Sequence, residues 1–278
     1  MSAVDLGAFL AAHSRLFVLT GAGCSTDSGI PDYRDADGEW KRAGPMTFQT
    51  FMGDAHARRR YWARSLVGWP RFRRARPNGA HRALARLEAD GRIDTLVTQN
   101  VDRLHQAAGH RNVIDLHGRL DLVRCMGCGH KSPRDALQRK LLARNPRFAG
   151  LAAEDAPDGD ADLENVDFDA FEVPECPICA GILKPDVVFY GESVPRERVA
   201  AAMRALERAD GMLVIGSSLM VFSGFRFARA AAEAGKSVAA LNLGRTRADD
   251  LLSLKVSAPC GPALELVLER LAARADAL

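Results

Sequence analysis

Two cysteine pairs, one histidine and several short Gly/Ser/Asn/Asp clusters are the residues of this chain whose types and spacing could do chemistry. Cys125 and Cys128 form a C-x-x-C, and Cys176 and Cys179 form a second, with 47 residues between the pairs. Each pair spans a tight turn, so its two sulfurs can face one ion, and two such pairs match a four-thiolate zinc site. Two redox dithiols or unrelated thiols are the alternative, and His130 is a substitute ligand. Four thiolates close the tetrahedron, so this zinc would hold structure and perform no chemistry. Cys24 and Cys260 stand alone. Cys24, with no general base implied beside it, reads as a small semi-buried filler. His117 precedes a glycine and has the near-neutral titration that suits a general base, whereas His105 reads as a satisfied structural histidine.

The elements that must position these groups follow from length and pattern. The 278 residues suggest about two domains, and 47% hydrophobic with 26% charged residues excludes wholesale disorder. No apolar run approaches the length of a membrane helix. The N-terminus lacks a basic leader segment, so a soluble, cytoplasmic protein without disulfides is expected. A net charge of +3 is too small to imply a polyanionic partner. Residues 58–76 hold eight arginines and no acid, and residues 154–175 hold ten acids and no base. Both runs read as solvated faces, the acidic one as a mobile loop.

Apolar runs at 15–20, 93–98, 112–116, 212–215 and 237–243 read as buried strands. Helices are expected over 78–90, 195–210, 223–234 and 259–275. This alternation predicts an α/β, Rossmann-like parallel-sheet domain made of residues 1–120 and 186–278, with a helical insertion at 36–76. A smaller zinc-binding lobe, 121–185, is inserted in it. The polar clusters GAG (21–23), QNVD (99–102), HG (117–118), GSS (216–218) and NLG (242–244) each follow a strand. In open α/β sheets ligands bind beyond the carboxyl ends of the strands, so the five clusters would converge on one cleft. An ordinary dinucleotide dehydrogenase is disfavoured. Thr26 stands where the third fingerprint glycine belongs, and Asp37 and Glu39 follow a loop rather than a strand.

GAGCSTDSGIPDYRD (21–35), GEW (38–40), TQNVDRLH (98–105), LHG (116–118), the two cysteine pairs, LKPDVVFYGE (183–192), GSSLMVFSGFRF (216–227) and NLGRTRADD (242–250) together resemble the sirtuins, NAD-dependent protein lysine deacylases. RRRYWARSLVGWPRF (58–72) and GSSLMVFSG are similar to class II. The resemblance implies NAD as co-substrate, with Gly21, Ala22 and Gly23 near the diphosphate. Ser217 and Asn242 would hold the adenosine ribose, and Cys260 would border the adenine. Gln99, Gly216, Ser218, Leu243 and Gly244 complete the cofactor-binding set. Nicotinamide would lie against Ile30 and Asp32, with Asp102 bonding its carboxamide. Tyr33 would close over that pocket, and Arg34 would steady the loop.

In the implied reaction the acyl-lysine carbonyl oxygen attacks the ribose as nicotinamide leaves. His117 is the general base on a ribose hydroxyl, and Asn100 orients ribose hydroxyls or water, giving O-acyl-ADP-ribose. The acylated protein would enter as an extended strand along 186–190, with Val187, Val188 and Phe189 around the lysine. Tyr61 and Arg64 match a Tyr-x-x-Arg with which some relatives grip acidic acyl groups. The protein is expected to be a monomer. The alternatives are a protein mono-ADP-ribosyltransferase using the same site and, from another class, a zinc-containing nucleic-acid-binding module. No recognition helix or RNA-binding signature supports the latter.

Overall fold

The computed structural model describes residues 3–41, 44–151, 154–155, 157–163 and 166–275. They form two compact units, one of Met1–Arg42, Arg76–Leu116 and Val194–Leu278, the other of Ala43–Ala75 and His117–Ser193. The helical insertion thus joins the zinc-lobe residues in one unit, a wider division than the sequence boundaries at 121 and 185. In chain order the strands are β1 (Leu16–Thr20), β2 (Ile93–Thr98), β3 (Val113–Asp115), β4 (Gly118–Cys125), β5 (Lys131–Pro133), β6 (Glu154–Asp155), β7 (Ala161–Asp162), β8 (Leu183–Val187), β9 (Gly211–Ile215), β10 (Ser237–Leu241) and β11 (Leu254–Val256).

The larger unit carries a six-stranded sheet in the order β11-β10-β9-β1-β2-β3, every pairing parallel. Numbered within this sheet, that is the 3-2-1-4-5-6 order of the Rossmann fold. Strands buried on both faces must be apolar at successive positions, and LFVLT in β1 is buried throughout. Its side chains alternate between two cores. Leu16 and Val18 join a cluster with Leu6, Leu84 and Leu264, from the helices Ala3–Ala12, Gly79–Ala89 and Cys260–Ala275. Phe17 and Leu19 join another with Leu206 and Phe227, from the helices Arg196–Arg208 and Phe222–Glu233. The helix at 79 starts where Asn78 Oδ1 accepts from the N–H groups of Ala80 and His81. The expected strands and helices match this sheet, and β11 and the first helix are added to them.

The smaller unit holds an antiparallel sheet, β5-β4-β8, and the helix Ala55–Phe72, capped by Asp54. The arginine run lies largely on this helix but is not a plain solvated face. Trp62, Ala63, Leu66 and Trp69 are buried, and Trp62 Nε1 donates to Leu183 O at 3.2 Å. The acidic run is likewise no simple loop, because Leu163, Phe168 and Phe171 enter the same core. Residues 156, 164 and 165 of that run lie outside the described residues. No helix among the described residues is long and apolar enough to cross a membrane.

Phe227 is fully buried with its ring 5.6 Å from that of Phe17. Phe227→Ala should therefore cost about 3–5 kcal/mol, read as a lower denaturation midpoint; an unchanged midpoint would place the ring outside the core.

Candidate functional site

Four of the polar clusters lie at the carboxyl ends of adjacent strands of the larger unit. Gly21 N–H donates to Ile215 O and Gly23 N–H to Gly216 O, which stitches the turn after β1 to the turn after β9. Gly216 has φ +59°, and a Cβ there would meet Cys24 N at 2.3 Å, so only glycine fits. The chain after Thr20 forms two single 3-10 turns, Ala22–Cys24 and Thr26–Ser28, rather than a long helix. That agrees with the missing third fingerprint glycine.

Side chains complete the turn. Gln99 Nε2 donates to Ser217 Oγ at 2.6 Å. Asn100 Nδ2 donates to Gly21 O at 3.0 Å and to Ser25 Oγ at 3.1 Å. Ser25 Oγ donates to Asp102 Oδ2 at 2.7 Å, and Leu104 N–H donates to Asp102 Oδ1 at 2.9 Å. Burial raises the Asp102 carboxyl above the ordinary carboxylate value, and these two donors pull it back. Ser25, 1% exposed, joins Asn100 to Asp102. Sequence reasoning passed over it, since a serine in a glycine loop carries no signal of its own.

Just past β10, Asn242 is buried and its N–H donates to Val256 O. Leu243 is 59% exposed beside it, and Gly244 has φ +82°. Arg247 N–H donates to Ser218 O. Cys260 Sγ lies 3.9 Å from Leu241 O, and burial pushes its thiol up to about 12. Ala22 is half-buried and Ile30 buried. Asp32 pairs with Lys41 at 2.5 Å. Arg34 donates to Gly38 O and stacks 3.7 Å over the Trp40 ring, against which Tyr33 packs edge-on. These residues suit a dinucleotide: side-chain-free backbone at Gly21 and Gly23, with amides and hydroxyls around it, at the point where the strand order reverses.

His117 belongs to the other unit, as does the segment 186–190. His117 O accepts from Val188 N–H at 2.7 Å. Gly118 has φ +88°, and a Cβ there would meet Asp186 O at 2.1 Å. β8 is bonded only to β4 within its sheet and is an edge strand. Val187 and Val188 are half-buried, while Phe189 is buried against Phe51 and Tyr61. Glu192 accepts from Phe189 N–H and from Lys184 Nζ, both at 3.0 Å. Tyr61 packs among Phe51, Trp62 and Phe189. Burial pushes its phenol above the ordinary value. Arg64 reaches Asp160 through both Nε and Nη2, each at 2.9 Å. This carboxylate partner is 96 residues away in the chain, beyond any spacing argument.

Cys125, Cys128, Cys176 and Cys179 place their sulfurs within 4.8 Å of one another, without His130. Cys125 Sγ lies 3.5 Å from Cys179 Sγ, and Cys128 Sγ 3.8 Å from Cys176 Sγ. A tetrahedral ion with Zn–S bonds of about 2.3 Å needs sulfurs about 3.8 Å apart. The N–H groups of Cys128 and Gly127 point at Cys125 Sγ and pull its thiol below the ordinary value. The set fits one structural zinc.

Residues 21–223 match the family model of the Sir2 family. The chain is 66% identical over 260 residues to NAD-dependent protein deacetylase 2 of Bradyrhizobium diazoefficiens, covering 94% of this chain and 95% of that one. It is 67% identical over 256 residues to an NAD-dependent protein deacetylase of Xanthomonas campestris, covering 92% and 87%. Among solved structures, Sir2 with a p53 peptide and NAD+ superposes with a TM-score of 0.79 at 30% identity, over 97% of this chain and 98% of that one. Sir2Tm bound to a propionylated peptide gives 0.75 at 29%, over 97% and 98%.

Cys125→Ser should lose the zinc and lower the stability of the smaller unit, because binding energy at a structural site is folding energy. Metal analysis and hydrogen exchange check this: protection should fall in β4 and β8 while β1 and β9 keep theirs. Full zinc content with unchanged exchange would contradict the assignment.

Proposed function

The chain belongs to the Sir2 family and is an NAD-dependent protein deacylase of the deacetylase type; on that premise we propose which of its residues carry the reaction and how substrate enters. NAD supplies a glycosidic bond whose cleavage releases nicotinamide and hands ADP-ribose to the acyl oxygen. Gly21, Ala22 and Gly23 offer backbone to the diphosphate. Ser217 and Asn242 hold the adenosine ribose, and the exposed Leu243 and buried Cys260 border its base. Ile30, Asp32 and Tyr33 form the nicotinamide pocket, where Asp102 bonds the carboxamide. The observation that carries this reading is the chain of bonds from Asn100 through Ser25 to Asp102, which fixes two of these side chains before any ligand arrives. Preorganised polar groups of this kind suit a glycosidic cleavage with an oxocarbenium-like transition state.

His117 takes the proton from a ribose hydroxyl, which attacks the acyl carbon. The lysine amine then leaves as one water is consumed, and the products are free lysine, nicotinamide and O-acyl-ADP-ribose. Acylated protein pairs its backbone with the edge of β8 near Val187 and Val188, and Phe189 backs the lysine's apolar stem. Such pairing reads backbone more than side chains, so several protein sequences are accepted.

Tyr61 and Arg64 face the acyl group in this reading. Asp160 already fills the guanidinium fork, so an acidic acyl group meets a neutralised arginine and acetyl is preferred.

His117→Ala should lower kcat more than 100-fold while calorimetry still detects NAD binding; activity above one-hundredth of the parent value removes the general base from His117. Asp160→Asn should raise succinyl-peptide turnover relative to acetyl-peptide at least tenfold. An unchanged ratio would take Arg64 out of acyl recognition.

A further inference from the structure

We propose that Cys24, His81 and His105 form a second metal site, buried in the larger unit and independent of the four cysteines, that takes a thiophilic cation of the zinc class. The three residues come from separate elements: the turn after β1, the helix Gly79–Ala89 and the helix Leu104–Ala107. A ligand atom of each lies within 4.8 Å of the other two. Cys24 is 1% exposed, and both histidines are fully buried. One thiolate with two imidazoles is a donor set that zinc accepts, with a fourth position left over. Ser25 Oγ lies alongside, 3.5 Å from His81 Nε2.

The hydrogen inventory shows a buried nitrogen of this cluster with no partner. Thr20 Oγ1 donates its hydrogen to Thr98 Oγ1 at 2.9 Å. In the tautomer with its hydrogen on Nε2, His105 donates to Thr20 Oγ1 at 2.9 Å. That leaves His105 Nδ1 as a bare lone pair, and it is buried without a partner. The expectation of a satisfied structural histidine holds for only one of its two nitrogens.

His81 repeats the pattern. Asn78 Nδ2 donates to Cys24 O, which fixes the Asn78 amide. His81 Nδ1 donates to Asn78 Oδ1 at 2.9 Å in the tautomer with hydrogen on Nδ1, and accepts from Asn78 N–H at 3.3 Å in the other. His81 Nε2 has only Ser25 Oγ beside it, and the Ser25 hydrogen goes to Asp102. A buried nitrogen left unpaired is destabilising. Both imidazoles share the cluster with the Cys24 thiol, and a cation there takes a lone pair from each.

Charge is consistent with that role. Burial lowers the His81 imidazole to about 4 and the His105 imidazole well below its usual value, so both are neutral ligands at pH 7. Burial likewise keeps Cys24 a thiol in the absence of an ion. Binding a divalent cation replaces the S–H bond by a metal–sulfur bond and releases one proton to solvent, with no redox change. Ser25, which holds Asn100 and Asp102, is the next residue in the chain. An ion that draws Cys24 toward the two histidines therefore displaces the turn that NAD needs, and the site is inhibitory.

The test uses the full chain with zinc in its four-cysteine site, titrated with Co2+ without NAD or peptide. The parent protein should take up one further equivalent with a one-thiolate charge-transfer band and no zinc release. Cys24→Ala, a small-for-small change, should lose that equivalent, and His105→Gln should weaken it at least tenfold. In assays, excess zinc should slow the parent at least tenfold and leave Cys24→Ala nearly untouched, each rate taken relative to the same protein without added metal. A second equivalent retained by Cys24→Ala, no second equivalent in the parent, or a four-thiolate spectrum with zinc released from both would overturn the proposal.

Discussion

Backbone meets backbone where the turns after β1 and β9 touch, and the site depends on that approach. A Cβ on Gly21 would lie 2.7 Å from Ser217 Cβ, and one on Gly23 3.1 Å from Gly216 Cα. With no side chain between them, the two turns bond directly through Gly21–Ile215 and Gly23–Gly216. β1 and β9 are neighbours at the point where the strand order reverses, and crevices open beyond the strand ends there. A single methyl group at Gly216 would force the turns apart and carry Ser217 away from Gln99. The glycines are thus a constraint on distance between strands as much as on turn conformation.

The consequence for anion binding is specific. A long helix after β1 would offer its dipole and free N–H groups to a diphosphate. Single 3-10 turns have little dipole to offer, so in the proposed site fixed side-chain amides and hydroxyls would carry more of the recognition. Ser25 shows how tightly these are coupled: its one hydrogen goes to Asp102 and its lone pairs serve Asn100. Removing its hydroxyl would leave two polar groups unpaired at once, and such loss exceeds the value of a single hydrogen bond.

What the sequence disclosed follows from how local each signal is. β1, β9 and β10 are continuous apolar runs buried on both faces, so they were legible. The four cysteines were legible because each half-site is complete within four residues. β11 was not, being three residues long with Lys255 paired outward to Asp249. The charge runs misled because composition hides periodicity: Trp62, Leu66 and Trp69 form a buried face between the arginines. Arg64 with Asp160, and His81 with His105, are contacts between distant segments. Nothing in either stretch of sequence announces its partner.

Buried charge in the smaller unit follows a related logic. Lys184 is 3% exposed, and burial lowers its ammonium below the usual value. Its ion pair with Glu192 and its place 4.5 Å over the Phe189 ring offset part of that desolvation. A buried pair of this kind stabilises little in net terms, because desolvation cancels most of the attraction. Its effect is geometric: Glu192 holds Lys184 from one end of the segment and Phe189 N–H from the other. The chain between them is clamped, so Val187 and Val188 emerge from a strand of fixed shape. If another backbone pairs with this edge as proposed, such rigidity raises its affinity, since less entropy is lost when the partner strand arrives.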